Sequence, residues 1–548
     1  MNSLMVLTGP IISPINLWQR QRHQIDSNYE KPEFNEFMTK TTTKIIDVPL
    51  NRVEGDLEIR VELNDNQVIN AWSSGLMFRG IENMLCGRGA LDGLVITPRI
   101  CGICGTAHLT AAADALENII QIKIPPNAQI LRNIALMTEH IQSDMRHGFL
   151  MFMADFVNPI YRHLSLFDEA CRRYEPFKGK TVIDVIRQTR DILKIIAIIG
   201  GQWPHSSYMV PGGIASSPSV NDICQCRYQL EKYIAWYENN IIGCSLERWL
   251  NVNSKSDLDK WLDEKDSHFN SEIGFFIRYA REIGLDRMGK GYDNFICFGQ
   301  LALPQGTHVK SRDEKSNCLI PAGFISRDMA DIFNHDAVTE HIAYSWFKDY
   351  QGGKHPFEGI SHPYATGKES NKYSWIKAPR YNDLPAETGP LSEMLVSGNP
   401  LFKDMIQSEG ANAFIRELAR LTRPAELMPA MKQWLKEIKT NEQYYAPVLK
   451  IPDGSSFGST QASRGALGHW VKIKNEKITQ YQVITPTAWN GSPRDANGLE
   501  GPFEKSLIGT IIQDIDNPVE LGHVIRSFDP CLVCAVHTIG GKKSVWNV

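Results

Sequence analysis

The chain lacks any apolar run long enough to span a bilayer. In its 548 residues the nearest is "ILKIIAIIGG" at 192–201, which falls short of the ~18–20 residues required and carries Lys194. It also lacks a secretory leader pattern. The opening "MNSLMVLTGPIISPINLWQRQRHQ" has no basic group ahead of its apolar residues and is broken by Pro10 and Pro14, so no signal peptide is expected. Strong charge of either sign is missing too: a net −4 at pH 7 argues against a nucleic-acid partner. No internal repeat and no low-complexity stretch is found.

What is present describes a large globular protein. Hydrophobic content of 42% and charged content of 22% are ordinary for a soluble fold, and the length allows a sizeable core. Eleven cysteines, an odd number in a chain without a leader, point to reduced thiols. The expected location is therefore the cytoplasm or the cytoplasmic face of a membrane, reached through partners. Seven of these cysteines (86, 171, 224, 226, 244, 297 and 318) show no cluster spacing, and most are expected to be small buried apolar groups.

Residues 1–44 show little periodicity and read as an extension of the main domain. From 45 to 72, apolar and polar residues alternate around "NDN", and 465–485 does the same around "KNEK"; both predict antiparallel strands, in a sheet that joins sequence-distant pieces. After Pro125–Pro126, Ile130, Ile134, Met137, Ile141, Met145 and Phe149 recur every three or four residues, the mark of a long helix. Similar faces run through 181–199, 221–250 and 411–438, and 351–392 reads as an extended ordered loop region. The expected class is α+β, with a mainly helical body and small antiparallel sheets.

Two C-x-x-C pairs stand out, Cys101/Cys104 and Cys531/Cys534, near opposite ends of the chain. A lone pair fits half a zinc site, a redox disulfide or two ordinary cysteines. Four thiolates would select nickel, iron or zinc over hard cations, without choosing among them. "GTAHLTAAADALENII" after the first pair reads as a helix whose positive end lowers the pKa of nearby thiols.

Eight motifs in order resemble the large, catalytic subunit of nickel–iron hydrogenases: "RVEGDL" (52–57), "MFRGIE" (77–82), "PRICGICGTAH" (98–108), "YSWIKAPRY" (373–381), "ETGPL" (387–391), "RGALGHW" (464–470), "PTAWNGSPRD" (486–495) and "DPCLVCAVH" (529–537). The resemblance implies that Cys101 and Cys531 are terminal nickel ligands. Cys104 and Cys534 would bridge nickel to an iron carrying carbon monoxide and cyanide. Splitting dihydrogen heterolytically needs a Lewis-acidic metal for the hydride and a base for the proton, and the resemblance casts Cys534 and then Glu54 as proton carriers. Arg464 would lie above the metals with the carboxylate of Asp529 beside it, and Asp144 is a further acid to compare with that layer. His108 would donate a hydrogen bond to a bridging thiolate, and Glu82 and His537 would hold a separate magnesium.

The same resemblance implies that residues 538–548 are removed after His537 by a maturation endopeptidase once nickel-insertion factors have acted, leaving a domain of 45–537. Such an extension favours an uptake hydrogenase over a hydrogen-sensing regulatory subunit. The seven other cysteines offer no ferredoxin-type spacing, so an iron–sulfur small subunit must take the electrons. Asp56 and Ser463 depart from the histidine and proline common in the family. Ile103 replaces a common valine and is expected to narrow gas access; slower inactivation by oxygen than in an Ile103→Val variant would bear this out, and equal rates would refute it.

Overall fold

The computed structural model describes residues 43–535 apart from 328, 360 and 361. The expected extension up to residue 42, His537 and the segment 538–548 therefore lie outside the described residues. Only the elements that carry the argument are labelled. Strands β1 (Lys44–Leu50), β2 (Leu57–Asn64) and β3 (Gln67–Gly75) form an antiparallel sheet, so Lys44, assigned to the extension above, already belongs to a strand. The predicted "NDN" turn is there: Asp65 and Asn66 both take left-handed φ, of 46° and 64°, as a two-residue hairpin of matching twist requires. Leu57, Ile59, Val61 and Leu63 alternate into the core.

Helix α1 (Gly105–Ile120) matches the expected segment, and α2 (Pro126–Arg146) starts with Pro126 in its first turn, where no backbone N–H is needed. All six residues of the predicted face of α2 are buried, although Phe149 lies beyond it in a π-helical turn, His147–Phe152. Helix α3 (Lys180–Ile192) is followed by a short helix at Lys194–Gly200, and α4 (Val220–Trp236) opens on a reciprocal cap between Ser219 and Asp222. Strands β4 (Phe295–Ala302) and β5 (Cys318–Ile325) pair antiparallel. The region 351–392 is ordered around a small sheet of Val338–His341, Gly353–Lys354 and Ala378–Tyr381.

Helix α5 (Ala413–Glu437) runs through Pro424 and Pro429 and packs against α2. Strands β6 (Gly454–Ala462), β7 (Gly465–Lys474) and β8 (Lys477–Ile484) complete the fold, with Asn475 and Glu476 forming the predicted turn. Helix α1 lies directly on β6: a Cβ at Gly458 would come within 2.2 Å of the Ala115 nitrogen, so only glycine permits this approach. No helix among the described residues is long and apolar enough to cross a membrane.

Two expectations are corrected. The strands of 45–72 and 465–485 do not share a sheet; β1–β3 and β6–β8 are separate, because alternation specifies which face is buried but not which strand is the partner. Sequence-distant pieces meet instead through isolated bridges, among them Glu54 with Cys531 and Gly89 with Lys477. Among the seven unpaired cysteines only Cys226 and Cys297 are buried. Cys86 and Cys224 are exposed, and Cys171, Cys244 and Cys318 are partly so. Cys86 caps a short helix end and Cys224 faces outward from α4, positions that helical periodicity assigns to solvent.

Candidate metal centre

The two cysteine pairs converge. Cys101 Sγ lies 3.6 Å from Cys531 Sγ, Cys104 Sγ 3.3 Å from Cys534 Sγ, and Cys531 Sγ 3.1 Å from Cys534 Sγ, all four residues being buried. Metal–sulfur bonds of about 2.3 Å place neighbouring sulfurs roughly 3.3 Å apart at a right angle and about 3.8 Å at a tetrahedral one. The Cys104–Cys534 and Cys531–Cys534 distances match or fall below the right-angle value and the Cys101–Cys531 distance is nearer the tetrahedral one, so the sulfurs are spaced to hold a soft ion.

Four sulfurs this close cannot all ionise without a cation between them. Hydrogen bonds from Cys104, Cys531 and Cys534 hold the Cys101 thiol well below the ordinary thiol range. The hydrogen bond with Cys101 pushes Cys104 well above that range and burial does the same to Cys534, with the charge on Cys101 adding to both. A soft dication would release the remaining protons as it bound. Cys104 is the N-cap residue of α1, but two free N–H groups of that helix end, at Thr106 and Ala107, are taken at 2.8 and 3.0 Å by Glu139, whose carboxyl burial pushes up to about 7. The N–H directed at sulfur is that of Ile103, 3.3 Å from Cys101. The predicted help from the helix end is thus shared with a carboxylate that pattern reading did not reveal.

The C-terminal pair is fixed by the N-terminal strand region. The Glu54 carbonyl accepts from Leu532 N at 2.6 Å, and Glu54 N donates to the Pro530 carbonyl at 3.3 Å. Gly55, at φ +93°, makes room for this: a Cβ there would lie 3.1 Å from both Leu532 Cβ and Val533 N. The short helix α6 (Leu532–Ala535) straddles two cores, with Cys531 and Cys534 facing the helical body and Leu532 and Ala535 facing the β1–β3 side. Thr487 Oγ1 accepts from Cys531 N at 2.9 Å. Arg79, the arginine of "MFRGIE", donates to the carbonyls of Arg99, Ile100 and Val533 and so clamps both cysteine segments together. Neither Arg79 nor Thr487 was singled out from sequence, although both lie inside quoted motifs.

Over the sulfurs lies a charged layer. Arg464 donates to the backbone carbonyl of Asp529 at 3.0 Å and to its Oδ1 at 2.9 Å. Asp529 also meets His147 Nδ1 at 3.0 Å and Arg420 at 3.3 Å; despite its burial, these cations hold its carboxyl well below the usual range. Asp144 is one step further back: it accepts two bonds from Arg423, at 2.8 and 2.7 Å, and lies 3.8 Å from Arg420. Glu54 is half-buried, and burial, followed by the charge of Cys101, raises its pKa above the ordinary carboxylate value. His147, Arg420 and Arg423 were missed because their charge or polarity, in the turn after α2 and on α5, reads as solvent-facing.

The remaining predicted residues differ in their surroundings. His108 is buried beside the site, and burial lowers its pKa to about 4; its Nδ1 shares a hydrogen bond at 3.2 Å with His469 Nε2, a partner other than the expected thiolate. His469 in turn meets Tyr481 at 2.9 Å. Glu82 is buried, accepts from Val483 N at 2.9 Å, and stands 3.7 Å from Lys377, which also holds Glu340 and Gln482. This polar pocket suits a small hard cation chemically. Its other expected ligand, His537, lies outside the described residues. Ser463, at the departure from proline, turns its hydroxyl to His140 at 3.2 Å and its carbonyl to Arg423 at 2.8 Å.

A buried set of four thiols from both chain ends, beneath an arginine–carboxylate layer, defines a soft-metal enzyme whose centre ties the whole fold together. A family model described as nickel-dependent hydrogenase matches residues 79–165 and 180–537. The chain is 30% identical to the periplasmic [NiFeSe] hydrogenase large subunit of Desulfomicrobium baculatum, covering 91% of this chain and 96% of that one. It is 27% identical to the uptake hydrogenase large subunit of Afipia carboxidovorans, covering 90% and 95%. Among solved structures, it resembles the Dm. baculatum [NiFeSe]-hydrogenase with a TM-score of 0.76 at 30% identity, over 90% of this chain and all of that chain. The chain belongs to the nickel-dependent hydrogenase family. It is a nickel–iron hydrogenase oxidoreductase with the large-subunit fold. Selenium in the relatives' names is theirs; the four sulfur positions here are all cysteine.

Proposed function

We propose that this chain is the catalytic subunit of an uptake hydrogenase, cleaving dihydrogen into protons and electrons and passing the electrons to an iron–sulfur small subunit. The observation that carries the reading is the convergence of four buried sulfurs beneath Arg464 and Asp529. Cys101 and Cys531 would hold nickel, and Cys104 and Cys534 would hold both nickel and an iron bearing carbon monoxide and cyanide. When bound, the metal pair supplies the Lewis acidity that polarises dihydrogen.

The chain's own groups manage the proton. Cys534 Sγ receives it, and the Glu54 carboxylate takes it next. A pKa raised by burial makes Glu54 a better proton holder than an exposed carboxylate, and its partial exposure offers a way out to solvent. Arg464 stays charged, since Asp529 raises its pKa further despite burial, so it orients the side of the site it covers rather than acting as a base. His108 acts through its bond to His469 by fixing the wall beside Cys104. Glu82, with His537, would hold magnesium.

The same reading has residues 538–548 cut away after His537, leaving 45–537 as the working domain, with nickel-insertion factors and an endopeptidase as transient partners. Any membrane attachment would be made through partners at the cytoplasmic face. Sustained, rapid hydrogen-dependent dye reduction by the two-subunit complex tests the proposal; slow turnover would identify a hydrogen sensor instead. Intact mass before and after nickel loading tests the cut.

A further inference from the structure

Behind the Arg464–Asp529 layer lies a carboxyl that the reaction scheme does not use. Glu417, on α5, is fully buried, and neither of its oxygens has a hydrogen-bond partner. Its nearest polar neighbours are Arg420 Nε at 3.5 Å, one turn along the same helix, and His147 Nε2 at 3.9 Å, from the π-helical turn after α2. Gly148 gives it space: a Cβ there would lie 3.0 Å from Glu417 Oε1 and 2.5 Å from Leu421. A π-helical turn is an uncommon feature that concentrates at functional sites.

His147 has the opposite problem. Nδ1 faces Asp529 Oδ1 at 3.0 Å and Nε2 faces the Arg526 carbonyl at 2.7 Å. Both neighbours are acceptors, so the ring satisfies both only with two protons. A doubly protonated His147 leaves Glu417 as a buried carboxylate without a hydrogen bond, whereas a protonated Glu417 leaves one ring nitrogen facing an oxygen lone pair. Either arrangement satisfies one partner at the expense of the other.

The charge balance allows one proton between them. Around the pair stand Arg420, Arg423 and Arg464 against Asp144, Glu393, Glu417 and Asp529. Three positive groups face four negative ones, and one added proton makes the set neutral. Arg526 contributes its carbonyl, while its guanidinium is engaged by Asp155. We propose that Glu417 and His147 share a single proton, forming a proton store behind the Arg464–Asp529 layer.

In one state the Glu417 O–H bond is intact and the ring is neutral. In the other that bond has broken, an N–H bond to His147 has formed, and the resulting ion pair lies beside Arg420. No electron moves; the two groups, 3.9 Å apart, close to hydrogen-bond distance for the proton to pass. The hydrogen gained by the ring sits on Nε2, the nitrogen that faces Glu417 and the Arg526 carbonyl, while Nδ1–H stays on Asp529 in both states; the transfer leaves a charged ring beside Asp529 and a charged carboxylate beside Arg420. Burial pushes Glu417 up to about 8 and lowers His147, which removes the ring's usual advantage over a carboxylate as the seat of the proton. The pair is independent of whether the enzyme runs as an uptake hydrogenase or a sensor.

Infrared difference spectroscopy of the two-subunit holoenzyme tests this through the carbonyl stretch of a protonated carboxylic acid. Near neutral pH the wild-type chain is expected to show a Glu417 band weaker than that of one whole carboxyl, growing as the pH falls and the pair takes a second proton. Glu417→Gln removes it, and any band that survives belongs to another acid such as Glu393. His147→Gln is expected to bring the Glu417 band to full strength, because the proton has nowhere else to go. A band of equal strength in wild type and His147→Gln, or no Glu417-dependent band in either, overturns the proposal. If His147→Gln does not assemble, the wild-type pH series decides: full strength near neutral pH rejects sharing, and partial strength supports it.

Discussion

Replacing Cys531 with alanine is expected to abolish nickel retention and bring hydrogen-dependent dye reduction down to background. Cys226→Ala and Cys297→Ala, at equally buried sites, should keep their nickel. The asymmetry follows from position. Cys531 is 3.6 Å from Cys101 and 3.1 Å from Cys534, so it links the N-terminal pair to the C-terminal one. Without it three thiols remain, and the free energy a metal contributes to holding distant segments together falls with them. Cys297, by contrast, gives its S–H to the Pro321 carbonyl at 3.2 Å, and burial pushes its thiol above the ordinary range, an inert arrangement. Metal analysis of the purified two-subunit complex checks the nickel loss and identifies the metals held. Zinc in place of nickel and iron would mean a structural four-cysteine site.

Much of this centre was legible because its signals are short and local. Two C-x-x-C pairs, a helix beginning directly after the first, and two-residue turns at "NDN" and "KNEK" need only neighbouring residues to be read. What was hidden depends on who packs against whom. On α5, Arg416, Glu417, Arg420 and Arg423 recur at helical spacing, and an amphipathic reading assigns such a stripe to water. Here the stripe is buried, because Asp144, Asp529 and His147, which it meets, come from segments over a hundred residues away, and Glu387 and Glu393 come from outside the helix. The two sheets were assigned to one for the same reason, since alternation is silent about partners. Arg79 escaped notice because its targets are backbone carbonyls, which carry no residue identity to recognise.

The layer above the sulfurs yields the second large effect. Asp529→Asn keeps the shape of the side chain but removes the one negative charge that Arg464, Arg420 and His147 all face. Arg420 keeps Asp144 and Glu417, but leaving the buried Arg464 without its carboxylate partner costs on the order of 3–5 kcal/mol, because its desolvation penalty is no longer offset. The sign of the pH dependence follows. A carboxyl held below its unfolded value contributes stability that is present above the unfolded pKa and is lost as pH falls through the lowered folded pKa. Thermal unfolding should therefore separate wild type from Asp529→Asn most widely near neutral pH, and the gap should close in strong acid. Turnover should fall by about 10–100-fold, the usual effect of losing a group that orients a metal site's surroundings. The amide also keeps one acceptor oxygen in place of two, so it cannot serve Arg464, Arg420 and His147 together, and the hold on Arg464 loosens even where the fold survives. A variant matching wild type in both melting and turnover would mean that Arg464 is held by the Asp529 backbone carbonyl alone.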